Sequence, residues 1–277
     1  MPNPATYLFV DGEYLRRIHG DAMRGFFGPN VSGELELSTP KHQADASRVF
    51  FYDSIDDSRR GDETDEDQRA RIAPLEDFFA RIRIPGLHIR LGTVTGKGKR
   101  RRQKEVDILL AVDMLTHGFN GSMRHAVLLA GDLDFRPIIE ALVRHGVFVE
   151  VWYDRTSIAQ DLPGAADFGR EIRFAELYSW NTKAFREAHG IPHVASYGGD
   201  PSGTFLKSGT LSGQPMQLHT AVGTHGPFYL LWILVEPRTR SWTLIQDTDF
   251  DLIQRFVATQ YGASEWEWNA EDIRGRA

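Results

Sequence analysis

The sequence predicts an α/β fold in which a parallel sheet is flanked by helices, followed by a small α+β domain at the carboxyl end. Over the first two thirds of the 277 residues, short apolar runs rich in β-branched and aromatic residues alternate with helical segments. Such alternation is typical of parallel strands joined by right-handed crossovers. After about Trp180 the alternation stops, and a stretch rich in Gly, Pro and Ser precedes a group of further strands.

The elements of the first region follow from these patterns in chain order. An apolar run ends at Asp11-Gly12, which is typical of a buried strand that leads into a functional turn. Gly146 stands where the end of a helix needs a glycine. The expected strands are 6–10, 47–52, 87–95, 126–130 and 147–153, and the expected helices are 13–24, 70–83, 105–116 and 135–145.

The composition shift divides the chain into three predicted parts. Residues 1–182 form the main domain, 183–213 a linker or long loop, and 214–277 a small α+β domain. This last part has expected strands at 217–223, 228–236 and 241–246 and a helix at 250–261, which Asp249 and its neighbours are placed to cap. Four tryptophans could stack bases there, but more often such residues form a small core. They are Trp232, Trp242, Trp266 and Trp268.

Composition restricts the chemistry. The chain contains no cysteine, so a disulfide framework or a thiolate metal site is excluded, and any metal must be held by oxygen or imidazole ligands. No apolar run reaches the roughly 18 residues that span a bilayer, and the first residues lack the pattern of a signal peptide. We therefore expect a cytoplasmic protein that does not bind membranes.

Aspartates lie where the strands of the predicted sheet end. Asp11 ends the first strand, Asp132 and Asp134 follow the central strand, and Asp107 is expected in the first turn of a helix. Chemistry in an open parallel sheet gathers at this edge, because the loops there converge over a crevice. Clustered carboxylates repel one another unless a cation neutralises them, and Mg²⁺ or Mn²⁺ accepts such oxygen ligands. Each aspartate alone could equally be a helix cap.

Charge is unevenly distributed. The net charge of −6 averages an acidic stretch at 53–67, expected to be a solvated loop, with a basic loop at 96–104. The basic loop lies just before the helix of Asp107, so its cations would flank the crevice and contact phosphates. The expected nucleic-acid-binding residues are Lys97, Lys99, Arg100, Arg101, Arg102 and Lys104. A solvated charge run is the competing interpretation of this segment.

Four ordered motifs resemble the NYN family of PIN-like nucleases, which includes the LabA-type bacterial proteins. They are FVDGEYL, KEVDILLAVDML, LLAGDLDFRPIIEALVRHGVFVEVW and SIAQDLPGAADF, spread over about residues 6–177. The resemblance implies a PIN-like three-layer fold, metal-dependent ribonuclease activity as in many members, and Asp11, Asp107, Asp132 and Asp134 as catalytic metal ligands. The family commonly has Asn where this chain has Tyr14, and Tyr14 and Asp113 are retained as residues that support the site.

The predicted function is a metal-dependent endonuclease that hydrolyses phosphodiester bonds, with RNA as the favoured substrate. A haloacid-dehalogenase-type phosphatase needs a second Asp at position 13, where Glu13 stands, and a Toprim-like site needs Glu in place of Asp11. The remaining alternative is a catalytically weak module that binds nucleic acid or a partner. Binding of a protein partner, or self-association, through the carboxyl-terminal domain is left open.

Overall fold

The computed structural model describes residues 5–56, 61–92, 99–159, 161–224, 226–262 and 266–269, with the backbone alone at 99–104 and 266. The chain divides into two units. The first unit comprises Met1–Arg24 and Pro29–Phe185, and the second comprises Gly25–Gly28 and Arg186–Ala277.

A parallel sheet organises the first unit. Its strand order is β3-β2-β1-β4-β5-β6, and each neighbouring pair is parallel. All five strands expected from the sequence are present, and β6 is an additional edge strand. The strands are β1 Thr6–Asp11, β2 Arg48–Ser54, β3 Leu87–Gly92, β4 His125–Leu129, β5 Phe148–Tyr153 and β6 Phe168–Glu171.

Between Gly12 and Ala188 the described residues form seven helices. The third begins with a capping box, because Thr64 accepts from the Asp67 backbone N–H and the Asp67 side chain accepts from the Thr64 N–H. The helices are α1 Gly12–Phe27, α2 Ser38–Gln43, α3 Asp65–Arg81, α4 Lys99–Phe119, α5 Arg136–Arg144, α6 Phe174–Ser179 and α7 Lys183–Ala188. Short 3-10 turns occupy Leu133–Phe135 and Pro163–Ala165.

Helices cover both faces of the parallel sheet. Phe9 and Phe50 stack with ring centroids 5.2 Å apart and share a core with residues of α4 and α5. Phe51, the next residue on β2, packs against Phe78 and Phe79 of α3. Because successive side chains of a strand point to opposite faces, the sheet is the middle of three layers. The α/β three-layer fold expected from the sequence is confirmed.

Two expectations about charged segments are corrected. Residues 99–104 are helical rather than part of a loop, because α4 begins at Lys99; Asp107 therefore lies in the third turn of α4 and not in the first. Asp53, expected at the start of a solvated loop, is buried at the end of β2 and pairs with Arg16.

An antiparallel sheet forms the second unit, in the strand order β12-β8-β9-β10-β11-β7. Helix α8, Phe250–Tyr261, has the bounds expected from the sequence, and Asp249 caps it by accepting from two backbone N–H groups. The strands are β7 His193–Gly198, β8 Thr204–Leu211, β9 Gln214–Gly223, β10 Gly226–Glu236, β11 Ser241–Asp247 and β12 Trp266–Trp268.

The segment expected to be a linker is structured, and two of the four tryptophans form part of a small core. The segment 183–213 contains α7, β7 and β8, and both strands pair within the second sheet, so it is not a linker. Trp232 and Trp242 are buried in a small core with Leu230 and Leu244. The Lys207 ammonium lies 3.9 Å from the ring centroid of Trp268. Among the described residues, no helix is both long and apolar enough to cross a bilayer.

Candidate active site

The first two acidic positions meet because their strands are neighbours. β1 and β4 pair in parallel with Val10 opposite Leu129, so both strands end at the same edge of the sheet. Asp11 is the last residue of β1, and Asp132 comes three residues after the end of β4. Both side chains line one cleft of about 320 Å³, together with Glu13, Tyr14 and other residues.

Each of these two carboxylates also caps the segment that follows it. The Tyr14 backbone N–H donates to Asp11 Oδ1 over 3.0 Å, and the Asp134 N–H donates to Asp132 Oδ1 over 3.0 Å. These bonds satisfy free backbone donors at the starts of α1 and the 3-10 turn. A carboxylate has two oxygens, so capping through Oδ1 leaves Oδ2 of each residue for another ligand.

Asp107 reaches the same edge from α4. This helix packs close to the end of β3, where a Cβ on Gly92 would lie 2.6 Å from Val106 Cγ2. A larger side chain at position 92 would therefore displace the turn that carries Asp107. The half-buried Asp107 carboxyl interacts electrostatically with Asp11, Asp132 and Asp134. The charge of each of these three acids therefore affects the ionisation of Asp107.

Burial and repulsion by neighbouring acids make Asp11 and Asp107 hard to ionise. Burial is the main reason that the pKa of Asp107 rises to about 7, and the charges of Asp11, Asp132, Asp134 and Glu13 raise it further. Burial also raises the pKa of Asp11 to about 6; the Tyr14 N–H opposes this rise, whereas neighbouring acids including Asp53 and Asp132 add to it. These pKa values belong to the metal-free protein.

The cluster has the donors for a hard cation but is not closed around one. No described lysine or arginine side chain forms an ion pair with any of the four acids. In the same described part of the chain, no group of three or more carboxylates or imidazoles is close enough together to hold a metal ion. Asp132 and Asp134 are exposed, so their side chains have room to rotate.

Comparison with known proteins gives the family. The model of the NYN domain matches residues 5–171, which is more than half of the chain. The chain belongs to the NYN domain family. NYN domains are generally nucleases and typically use divalent metals, so the first unit is a nuclease-type hydrolase domain.

The other comparisons add little detail. No curated protein matches the chain. A crystal structure of a protein of unknown function from Vibrio parahaemolyticus RIMD 2210633 is 15% identical, with a TM-score of 0.41. The alignment covers 61% of this chain and 93% of that one.

The first unit, called the NYN unit below because it carries the family match, contains two further acids beside the site. The sequence alone did not predict either of them as a site residue. Asp53 accepts from Arg16 Nε at 2.8 Å and Nη2 at 2.9 Å, which fixes a neutralised pair beside Asp11. A Cβ on Gly12 would lie 2.7 Å from Asp53 Oδ2 and 2.5 Å from Phe51 Cε1, so this approach requires glycine. Glu13 is exposed and lines the cleft.

The residues predicted to support the NYN site have different surroundings. Asp113 accepts from the Tyr52 hydroxyl at 2.9 Å and pairs with Arg90 at 3.2 Å, on the side of α4 that faces β2 and β3. The buried Tyr14 lines the cleft, and its hydroxyl accepts from the Asp154 backbone N–H at 2.9 Å. Tyr14 therefore ties α1 to the loop after β5, whereas Asp113 joins α4 to the other half of the sheet.

Most of the predicted basic surface cannot be compared with the structure. Lys97 lies outside the described residues. The other five cations have a helical backbone in the first turns of α4, and the structure describes none of their side chains: Lys99, Arg100, Arg101, Arg102 and Lys104. Their role in binding nucleic acid stays a prediction.

Proposed function

We propose that the NYN unit is a metal-dependent endonuclease that hydrolyses phosphodiester bonds in RNA, with Asp11, Asp107, Asp132 and Asp134 as the metal ligands. The observation that carries the proposal is that Asp11 and Asp132 share one cleft at the sheet edge while Asp107 interacts electrostatically with both and with Asp134, without a described cationic partner. An unbalanced group of carboxylates costs stability, and this cost is normally retained only where a cation binds.

The donor set fits Mg²⁺ or Mn²⁺, because it consists of carboxylate oxygens and the chain has no cysteine. Such an ion would supply an activated water and would stabilise the charge that develops on the phosphate. Asp11 and Asp132 would bind it through the oxygens that capping leaves free. Asp107 would join them in its ionised form, after rotation of the exposed Asp132 and Asp134 side chains closes the group.

Cleavage by purified protein tests this proposal. Labelled single-stranded RNA and DNA are incubated with Mn²⁺, Mg²⁺ or EDTA, in parallel with Asp132→Asn and Asp107→Asn. Asp77→Asn is the matched control, because it makes the same chemical change on an exposed residue of α3. We expect metal-dependent cleavage of RNA by the wild type and the control, reduced at least roughly 100-fold in both site variants.

The second candidate is a module that binds nucleic acid or a partner with little catalysis. The absence of a closed group of metal ligands among the described residues and Tyr14 in place of the family's usual Asn favour it. It predicts that folded wild type and site variants are equally inert on both nucleic acids. Preference for DNA would instead retain the nuclease mechanism and change only the substrate. Self-association or partner binding through the second unit stays a prediction.

A further inference from the structure

The cleft beside the acids also contains a group of opposite charge. Asp11, Glu13 and Asp132 line it, and Arg17 is the cation among its described lining residues. Arg17 belongs to α1, one turn after Tyr14, so the helix that starts at the acidic edge also carries the cation. A nuclease site for a phosphodiester chain needs both kinds of charge. The acids would hold the metal ion at the phosphate that is cut, whereas the neighbouring phosphates require a positively charged partner.

Neutral groups hold the Arg17 side chain in place. Its Nη1 donates to Ser157 Oγ over 3.1 Å, and its guanidinium carbon lies 5.4 Å from the centroid of the Tyr14 ring. Cation–π contact and a single hydrogen bond orient the guanidinium without cancelling its charge. Among the described residues Arg17 has no carboxylate partner, although Asp11 and Glu13 lie on the same cleft.

The support under Arg17 is rigid. Tyr14 is 4% exposed, and its hydroxyl accepts from the Asp154 N–H. A Cβ on Gly131 would lie 2.4 Å from Tyr14 Cε2 and 2.4 Å from the Ser157 backbone oxygen, so the end of β4 presses against both. The Ala159 N–H donates to the Gly131 carbonyl at 3.0 Å and closes this contact. The tyrosine ring and the backbone of Ser157 are therefore both packed against the residues that follow β4.

We infer that Arg17 binds a backbone phosphate of the substrate strand next to the phosphate that is cut. Tyr14 and Ser157 are positioning residues: the ring supports the guanidinium from below, and the hydroxyl fixes its rotation. Arg17 is exposed and uses one of its five N–H donors in the bond to Ser157. The guanidinium therefore retains a pair of N–H donors that can bind two phosphate oxygens. The inference rests on the proposed function, because it places this phosphate by reference to the acids.

The test measures binding separately from cleavage. Affinity for a labelled single-stranded RNA is determined by fluorescence anisotropy in EDTA, over a range of salt concentrations, for wild type, Arg17→Gln, Arg17→Lys and Arg144→Gln. The last variant is the control, because its side chain is 71% exposed on α5. One lost phosphate contact on a single strand reduces the slope of log affinity against log salt by about 0.7.

We expect Arg17→Gln to show this smaller slope and roughly five- to tenfold weaker binding, and Arg144→Gln to match the wild type. Arg17→Lys should keep the slope, since the charge remains. It should bind RNA more weakly than the wild type, because lysine lacks the planar guanidinium that makes paired hydrogen bonds to phosphate. Ser157→Ala should raise KM for cleavage more than it changes kcat, because it frees the guanidinium without removing it. A purely structural role of Ser157 would lower the unfolding midpoint instead.

The outcomes separate the two proposals. If Arg17→Gln binds with wild-type affinity and slope while cleavage still requires Asp132, the phosphate contact is wrong and the nuclease proposal stands. If the slope falls as expected but Asp132→Asn cleaves as well as the wild type, Arg17 binds a phosphate, but the nuclease proposal fails and with it the position of this phosphate beside a cleavage site. No binding of the wild type at any salt concentration would overturn the inference.

Discussion

Asp11 and Asp132 show how one side chain serves both the fold and the site. Each uses Oδ1 to accept a backbone N–H at the start of the next element, and each lines the cleft with a second oxygen that this bond does not use. The two interpretations of a strand-end aspartate, as a cap and as a ligand, are therefore compatible. In the metal-free protein the cap favours one rotamer, so it also sets where the second oxygen lies before a cation binds.

Asp107 gives a prediction about pH. Its pKa in the folded, metal-free protein is about 7, above the ordinary 3.8, so the folded state binds more protons than the unfolded state between those values. Stability should therefore fall as pH rises from about 4 to about 7. We expect Asp107→Asn to be more stable than the wild type at pH 8 in EDTA, by roughly 1 kcal/mol after allowance for solvent screening.

Thermal unfolding at pH 5 and pH 8 measures this difference. The two proteins should have similar midpoints at the lower pH, where the wild-type carboxyl is largely protonated. Adding Mg²⁺ or Mn²⁺ at pH 8 should raise the midpoint of the wild type and raise that of Asp107→Asn less, because the variant lacks a ligand. An equal gain in both would exclude Asp107 from the metal site.

Gly131 gives a prediction about packing. Alanine there would place Cβ 2.4 Å from the Ser157 backbone oxygen and 2.4 Å from the Tyr14 ring, and the backbone atom cannot move aside cheaply. We expect Gly131→Ala to lower the free energy of unfolding by about 1–3 kcal/mol in urea titrations. Gly164→Ala is the control, since its Cβ meets nothing within 4 Å. Equal stability of the two variants would show that the loop is not pressed against β4.

At the scale of elements, the sequence predicted the buried parts of the first unit and missed polar or short ones. β1 and β4 are apolar runs with clear ends, so their positions follow from composition. The start of α4 was misplaced because its first six residues carry no apolar periodicity. Lys and Arg are nevertheless good helix formers, and no glycine interrupts the chain between Gly98 and Gly118.

The segment at 183–213 was misplaced for a different reason. Its glycine content is typical of a linker, but Gly199 and Gly203 lie in the short connection between β7 and β8, where their φ of 102° and 98° favours glycine. Glycine content alone does not distinguish a turn from a linker. The site was similarly incomplete: the Asp53–Arg16 pair joins residues 37 positions apart, so only the fold brings it to Asp11.

Helix α8 provides a prediction at this scale. Asp249 Oδ1 accepts from the Asp251 N–H at 2.9 Å and from the Leu252 N–H at 3.3 Å, so one side chain satisfies two free donors. Asp249→Ala should lower the free energy of unfolding of the second unit by about 1 kcal/mol. Asp249→Asn keeps an oxygen acceptor and should lose much less in the same urea titration. If both variants lost the same amount, the charge of Asp249 rather than its capping bond would stabilise α8.

At the scale of the whole molecule, the family match and the folded unit end at different places. The NYN match ends at residue 171, whereas the first unit continues to Phe185. Trp180 is fully buried, stacks on Trp152 with centroids 6.3 Å apart, and donates through Nε1 to Gln43 Oε1 at 2.9 Å. The segment after the match therefore completes the core over β5 and contacts α2, the helix before β2.

Asn181 links this segment to the rest of the first unit and gives the last prediction. Its Oδ1 accepts from the Glu34 N–H at 2.7 Å, and its Nδ2 donates to the Tyr178 carbonyl at 3.0 Å, while the side chain is fully buried. Asn181→Ala would remove the side-chain acceptor of the Glu34 N–H and leave a cavity at a fully buried position. We expect the free energy of unfolding to fall by about 2–3 kcal/mol in urea titrations.

Asn120→Ala is the control for this change, because Asn120 is exposed at the end of α4. Cleavage by Asn181→Ala at a temperature where it remains folded should equal that of the wild type, since Asn181 does not line the cleft. A wild-type unfolding midpoint for Asn181→Ala would mean that the segment after residue 171 does not support the first unit. The NYN match alone would then define the stable part of the fold, and the buried contacts of Trp180 would contribute little to its stability.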